Sequence, residues 1–120
     1  MNARTRARYK KQLQALLSEL MEKSDETING MENQRADFAD PADRASFESS
    51  RHRELRIRER ELNLIFKIKS ALKRIDEGTF GICEECGGPI DAKRLRARPV
   101  TTMCIDCKTA QEEMEKRGGA

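Results

Sequence analysis

Tryptophan is absent from these 120 residues, and only one tyrosine and four phenylalanines stand in for it. With a hydrophobic fraction of 37% against 38% charged residues, bulky apolar material is too scarce to fill a large globular interior. The length allows one domain, or one compact lobe plus an extended helical element. Long apolar runs are missing as well, since nothing approaches the roughly 18 residues that cross a bilayer. The basic start at Arg4, Arg6, Arg8, Lys10 and Lys11 leads into an amphipathic pattern rather than a signal-peptide core, so a cytoplasmic protein is expected. Neither sign of charge dominates: 24 basic and 21 acidic residues leave a net charge of +3, weak support for nucleic-acid binding and none for a membrane. The single histidine, His52, has no partner at metal spacing and reads as a polar residue on a helix. There is no Ser-His-Asp order, P-loop or glycine-rich nucleotide motif. Catalysis has no candidate nucleophile, and an enzyme is not expected.

What is present begins with four cysteines. Cys83-Glu84-Glu85-Cys86 and Cys104-Ile105-Asp106-Cys107 form two CxxC pairs separated by seventeen residues, the spacing of a tetrahedral four-thiolate zinc site. A reducing cytosol disfavours the alternative of structural disulfides. A thioredoxin-like dithiol would need a βαβ context that the sequence does not supply. Gly87-Gly88 provide the conformational freedom a metal knuckle requires. Four protein ligands close the coordination shell and leave no position to activate water, so one structural Zn2+ is expected. Binding energy on the order of 10 kcal/mol can replace apolar burial in a small lobe.

Two helical periodicities precede the cysteines. From Tyr9 onward, Leu13, Leu16, Leu17, Leu20, Met21, Ile28 and Met31 fall at spacings of three, four and seven. After Pro41 a second run carries Ala45, Leu55, Leu62, Ile65, Ile68, Leu72 and Ile75, with Gly78 placed to cap it. This predicts a helix of about 36 residues, roughly 54 Å long. Between them, Asp40 suits the N-cap, Pro41 the first helical position and Asp43 the third. A reversal near 38 to 40 would set Leu17 near Leu62 and Leu13 near Phe66 in an antiparallel coiled coil. A reversal at Asn29-Gly30 ranks second, because it leaves an overlong connection before Asp40. Ile57, Leu64, Phe66, Ile68 and Ala71 widen the second stripe, and the segment from Phe80 onward is expected to cover them. A last helix is expected near 109–116, and Gly118-Gly119-Ala120 should be disordered. The expected fold is therefore mainly α: a long antiparallel coiled-coil hairpin over 1–77 with its tip near 38–45, then a small four-cysteine zinc-finger lobe with a short C-terminal helix over 78–120.

Several charged residues admit two readings. Asp40 and Asp43 read first as ordinary helix caps; second, an exposed acidic tip beside the small Ala42 and Ala45 can enter a narrow cavity and deliver negative charge. Lys93, Arg94, Arg96, Arg98 and Lys108 can offset the minus-two charge of a tetrathiolate site, or form an anion pocket. Arg51, Arg53, Arg56, Arg58 and Arg60 are interleaved with Glu48, Glu54, Glu59 and Glu61 at pairing distances, the pattern of a solvated helix face rather than of a DNA-reading one.

Asp40-Pro41-Ala42-Asp43-Arg44-Ala45, Gly81-Ile82-Cys83-Glu84-Glu85-Cys86-Gly87 and Arg94-Leu95-Arg96-Ala97-Arg98-Pro99, followed by Cys104-Ile105-Asp106-Cys107-Lys108, resemble the DksA/TraR family over nearly the whole chain. The resemblance implies a transcription factor that binds RNA polymerase rather than DNA, probing its secondary channel with the coiled coil. By it, Asp40, Asp43 and Ala45 act near the polymerase active centre, and Arg60 is a polymerase contact on the stem. Lys67, Arg98 and Lys108, with Leu64 beside them, correspond to contacts for the alarmone guanosine tetraphosphate (ppGpp). A monomer is expected, because a paired hairpin needs no second chain. The competing readings are a zinc-finger DNA binder, which requires salt-sensitive binding to duplex DNA, and a zinc-stapled scaffold whose tip acids are only caps.

Overall fold

The computed structural model describes the backbone of residues 1–33 and 41–118, with side chains for 1–26 and 41–118. The expected reversal at 38 to 40, Asp40 itself and the closing Gly119-Ala120 lie outside the described residues. Helices account for the regular structure: α1 (Ala3–Asn33), α2 (Pro41–Glu77), α3 (Ala92–Ala97) and α4 (Ile105–Gly118). Among the described residues the one extended pairing is an isolated antiparallel bridge between Ile82 and Pro89.

α1 starts earlier than its apolar periodicity suggests. Asn2 caps it, its Oδ1 accepting from the Thr5 N–H at 2.8 Å, so the basic segment around Arg4 and Arg6 is already helical. Because α1 continues to Asn33, the alternative reversal at Asn29-Gly30 is excluded. α2 begins at Pro41 with Asp43 in its first turn, where the fixed φ of proline and a carboxylate both suit the free amides. Its 37 residues correspond to about 56 Å. Gly78, at φ +78°, ends it: Thr79 N–H donates to the Arg74 carbonyl at 2.9 Å and Gly78 N–H to that of Ile75 at 3.3 Å, the paired bonds of a Schellman cap.

The chain divides into two compact units, Met1–Gln14 with Ile68–Ala120, and Ala15–Lys67. The first holds most of the core: Tyr9, Leu13, Ile68, Ala71, Phe80, Cys83, Ile90 and Leu95 are all buried, with Leu13 at 0% exposure. Tyr9 and Phe80 pack ring against ring at a centroid distance of 5.3 Å. The second unit consists of the outer parts of α1 and α2. Its α2 is oriented differently from the expected stripe. Leu62 and Phe66 are 48% and 72% exposed, so neither takes the expected place opposite Leu17 or Leu13; Ile57 and Leu64 are also uncovered, while Ile68 and Ala71 are buried. The shielded positions here are Phe47, Ser50, Glu54, Arg58, Glu61 and Ile65, which continue the heptad of Ile65, Ile68, Leu72 and Ile75 toward the start of α2. A straight helix keeps one phase, and that phase excludes Phe66, one residue on from Ile65.

Candidate metal centre

Everything between α2 and α4 serves to bring four sulfurs together. The last turn of α2 supplies Arg74, whose guanidinium donates to the Thr79 carbonyl at 3.0 Å and also to that of Ile82, pinning the turn that leads into the first cysteine pair. In that pair, Gly87 N–H donates to the Cys83 carbonyl at 3.0 Å, and Cys83 N–H to that of Gly88 at 2.8 Å. Gly87 sits at φ +70°, which a side chain would strain. The second pair straddles a helix start: Cys104 precedes α4, its carbonyl accepting from Lys108 N–H at 3.0 Å, and Cys107 stands in the first turn. Glu84 N–H donates to the Thr102 carbonyl at 2.9 Å, tying the two pairs together.

The four Sγ atoms of Cys83, Cys86, Cys104 and Cys107 all lie within 4.8 Å of one another. Those of Cys86 and Cys104 are 3.8 Å apart. A zinc tetrahedron with Zn–S bonds of about 2.3 Å has edges of about 3.8 Å, so the donor set fits the ion. Its electrostatics fit as well. Backbone N–H groups of Cys86 and Cys104 directed at the Cys83 sulfur lower that thiol from 9.0 to about 6, against the opposing effect of burial. The Cys107 pKa is pushed up, because its thiol is hydrogen-bonded to the sulfurs of Cys104 and Cys83. Without a cation the cluster tolerates little negative charge; with one, the remaining protons are released, so acid weakens metal binding. Zinc supplies no reaction here: a full thiolate shell is a structural clamp.

α3 and the start of α4 differ from what periodicity predicts. α3 is short and buries only Leu95. The signal for it was Asp91, a capping-type residue ahead of Ala92, with Pro99 beyond its end. α4 begins at Ile105 rather than near 109 because metal ligation and helix start share the same residues, and it extends through Gly118. Arg94 is half-buried and donates from Nε to the Met103 carbonyl at 3.0 Å, so it positions the chain just before Cys104 rather than facing a ligand. Arg74 and Arg94 were both missed as positioning residues, although an arginine in a last helical turn is a recognised signal.

The other candidate residues are placed one by one. Asp43 and Ala45 are exposed in the first turns of α2. Arg60, Leu64 and Lys67 lie exposed further along α2, in the 15–67 unit, with Leu64 at 37%. In the other unit Arg98 is exposed at the end of α3, while Lys108 is half-buried on α4, its Nζ 3.4 Å from Gln111 Oε1.

A mainly helical chain with two long helices and a cluster of four thiols that fits a closed tetrahedral shell is a structural-zinc protein, of the kind whose metal holds a fold rather than turns over a substrate. Family comparison is consistent throughout: the DnaK suppressor protein DksA N-terminal domain matches residues 5–75, and the prokaryotic dksA/traR C4-type zinc finger matches residues 78–113. The chain belongs to the DksA family, whose zinc finger is of the C4 type, and Cys83, Cys86, Cys104 and Cys107 are the four cysteines gathered closely enough to hold a metal ion. It is 43% identical over 117 residues to the RNA polymerase-binding transcription factor DksA of Escherichia coli, covering 98% of this chain and 78% of that one. The protein of the same description from Caulobacter vibrioides is 44% identical, with 98% and 80% covered. Among solved structures, the transcription factor DksA2 from Pseudomonas aeruginosa superposes with a TM-score of 0.87 at 33% identity, covering 96% of this chain and 88% of that one.

Proposed function

We propose that this protein is a cytoplasmic regulator of transcription that binds RNA polymerase as a monomer, entering the secondary channel with the hairpin formed by residues 1–77 and bracing it with the zinc lobe of residues 78–120. Asp40, Asp43 and Ala45 form the tip that acts near the polymerase active centre and changes promoter-complex lifetime. Arg60 contacts polymerase along the stem. Leu64, Lys67, Arg98 and Lys108 contribute to a ppGpp site completed by polymerase, whose phosphates suit two lysines and a guanidinium. Direct reading of DNA sequence plays no part.

The observation that carries this reading is the pairing of two features in one chain: the acid-bearing N-terminus of a 37-residue helix and a closed four-thiolate base. Relatives named as RNA polymerase-binding transcription factors are 43% identical to it over 98% of this chain. Asp43 is exposed, so its carboxylate is available to a partner and its loss costs the fold little.

In vitro transcription from a ribosomal RNA promoter, with purified polymerase and with or without ppGpp, tests the reading. Asp43→Asn is expected to leave polymerase binding intact and abolish the effect on initiation. Transcription that responds equally to the variant and the parent removes the mechanism. Binding to duplex DNA in the absence of polymerase would favour a zinc-finger DNA binder instead.

A further inference from the structure

α2 is one continuous helix from Pro41 to Glu77, so each residue follows its neighbour by about 100° around a single axis. Its shielded line of Phe47, Ser50, Glu54, Arg58, Glu61 and Ile65 leaves a second line about 100° away, made of Glu48, Leu55, Leu62, Phe66 and Lys73. All five are exposed: Leu55 at 42%, Leu62 at 48% and Phe66 at 72%, with Glu48 at the end nearer Pro41 and Lys73 at the other. Arg51, Glu59 and Lys69 border the line. Neighbouring large apolar side chains in water mark a surface that another molecule covers. The charges at its ends say which. An acid at one end and a base at the other make the line complementary to its own reversed copy. Set antiparallel about a twofold axis midway between Glu59 and Leu62, two α2 helices bring Leu55 against Phe66 and Glu48 against Lys73, twice each. The two Leu62 side chains then sit about 4.5 Å apart along the seam.

We propose that this face is a contact between two copies of the chain, a second copy packing antiparallel on the α2 line that runs from Glu48 to Lys73. The line is about 38 Å long and one side chain wide, which places the contact among small, reversible interfaces. Lys73 lies 3.8 Å from Glu77 within its own helix, an exposed pair too weak to withhold it from Glu48 of the second copy. Ile57 and Leu64, also exposed, lie on the opposite flank of α2 with Arg53, Arg60 and Lys67, and the second copy leaves them uncovered. The residues of the stem assigned above to polymerase and ppGpp therefore stay free. A second copy along the stem must leave before a hairpin enters a narrow channel, a consequence that rests on the function proposed above.

Sedimentation velocity on the full-length, zinc-loaded protein from about 1 μM to about 1 mM tests the contact without polymerase, so its outcome is independent of the proposed function. The average mass is expected to rise from that of one chain toward that of two. Phe66→Ser should weaken dimerisation by roughly a hundredfold, because two Phe66 side chains lose their cover at once. Ile57→Ser, on the opposite flank, should leave it unchanged. Glu48→Lys and Lys73→Glu each set like charges face to face twice and should weaken association several-fold. An equimolar mixture of these two variants should associate more tightly than either alone, since every such contact then joins a lysine to a glutamate. A mass that stays that of one chain throughout overturns the proposal. Equal weakening by Phe66→Ser and Ile57→Ser also overturns it, since that indicates general stickiness. A mixture no tighter than its components excludes the antiparallel pairing. Circular dichroism checks that helix content is preserved; if Lys73→Glu loses helix beside Glu77, Leu55→Ser and Phe66→Ser, set against Ile57→Ser, carry the test.

Discussion

The two compact units of this chain are built from the same long helices but held by different physics. Among the described residues, 1–14 and 68–118 bury eight apolar side chains and gather four thiols, whereas 15–67 bury Ile65 and the polar Ser24 while leaving Met21, Leu55, Ile57, Leu62, Leu64 and Phe66 in water. A core and a metal specify one packing; a seam of glutamates and an arginine specifies one only weakly.

Removing the zinc should have the largest effect. Chelation, or Cys83→Ser, withdraws on the order of 10 kcal/mol of binding free energy from the base, so its cooperative thermal transition should disappear as a chromophoric indicator registers zinc release. An unchanged melt without metal would break the contrast. Next comes apolar burial: Leu13→Ala, at a position 0% exposed, should lower unfolding free energy by about 2–5 kcal/mol in a urea titration. The same truncation at Leu62, 48% exposed, should change it by no more than about 0.5 kcal/mol. Equal costs at the two positions would mean that the stem has a core of its own. Glu54→Leu, which replaces a carboxylate with a shielded unpaired oxygen, should stabilise the stem by about 1 kcal/mol, seen as slower amide exchange along α2. Smallest of all, Lys10→Ala breaks a 3.1 Å ion pair with Asp76 whose side chains are 43% and 63% exposed, and urea unfolding should move by at most about 0.5 kcal/mol.

The metal centre was legible because zinc demands a fixed donor number and a short reach within each pair, and Cys83, Cys86, Cys104 and Cys107 meet both locally. Pro41 and Gly78 were legible for a similarly local reason, since proline's fixed φ and missing N–H suit a first helical position and Gly78 takes the left-handed φ that side chains disfavour. The phase of α2 was not. Leu55, Leu62 and Phe66 form as good a helical line on paper as Ile65, Ile68, Leu72 and Ile75, and periodicity cannot say which of two lines one residue apart will face inward. Arg74 and Arg94 were hidden too, because an arginine that clamps a carbonyl looks in sequence like any other surface charge.

Local chemistry in the amino-acid order thus determined the two long helices, the start of α2 and its stop at Gly78, and the spacing of the four-cysteine site, since each depends on residues within a few positions or on a ligand count. The tertiary structure alone decided which side of α2 is shielded, that α4 begins at the second cysteine pair, and which arginines hold backbone rather than face solvent. Those choices depend on what one segment finds opposite it, and a one-residue turn that changes nothing local changes every side chain it presents.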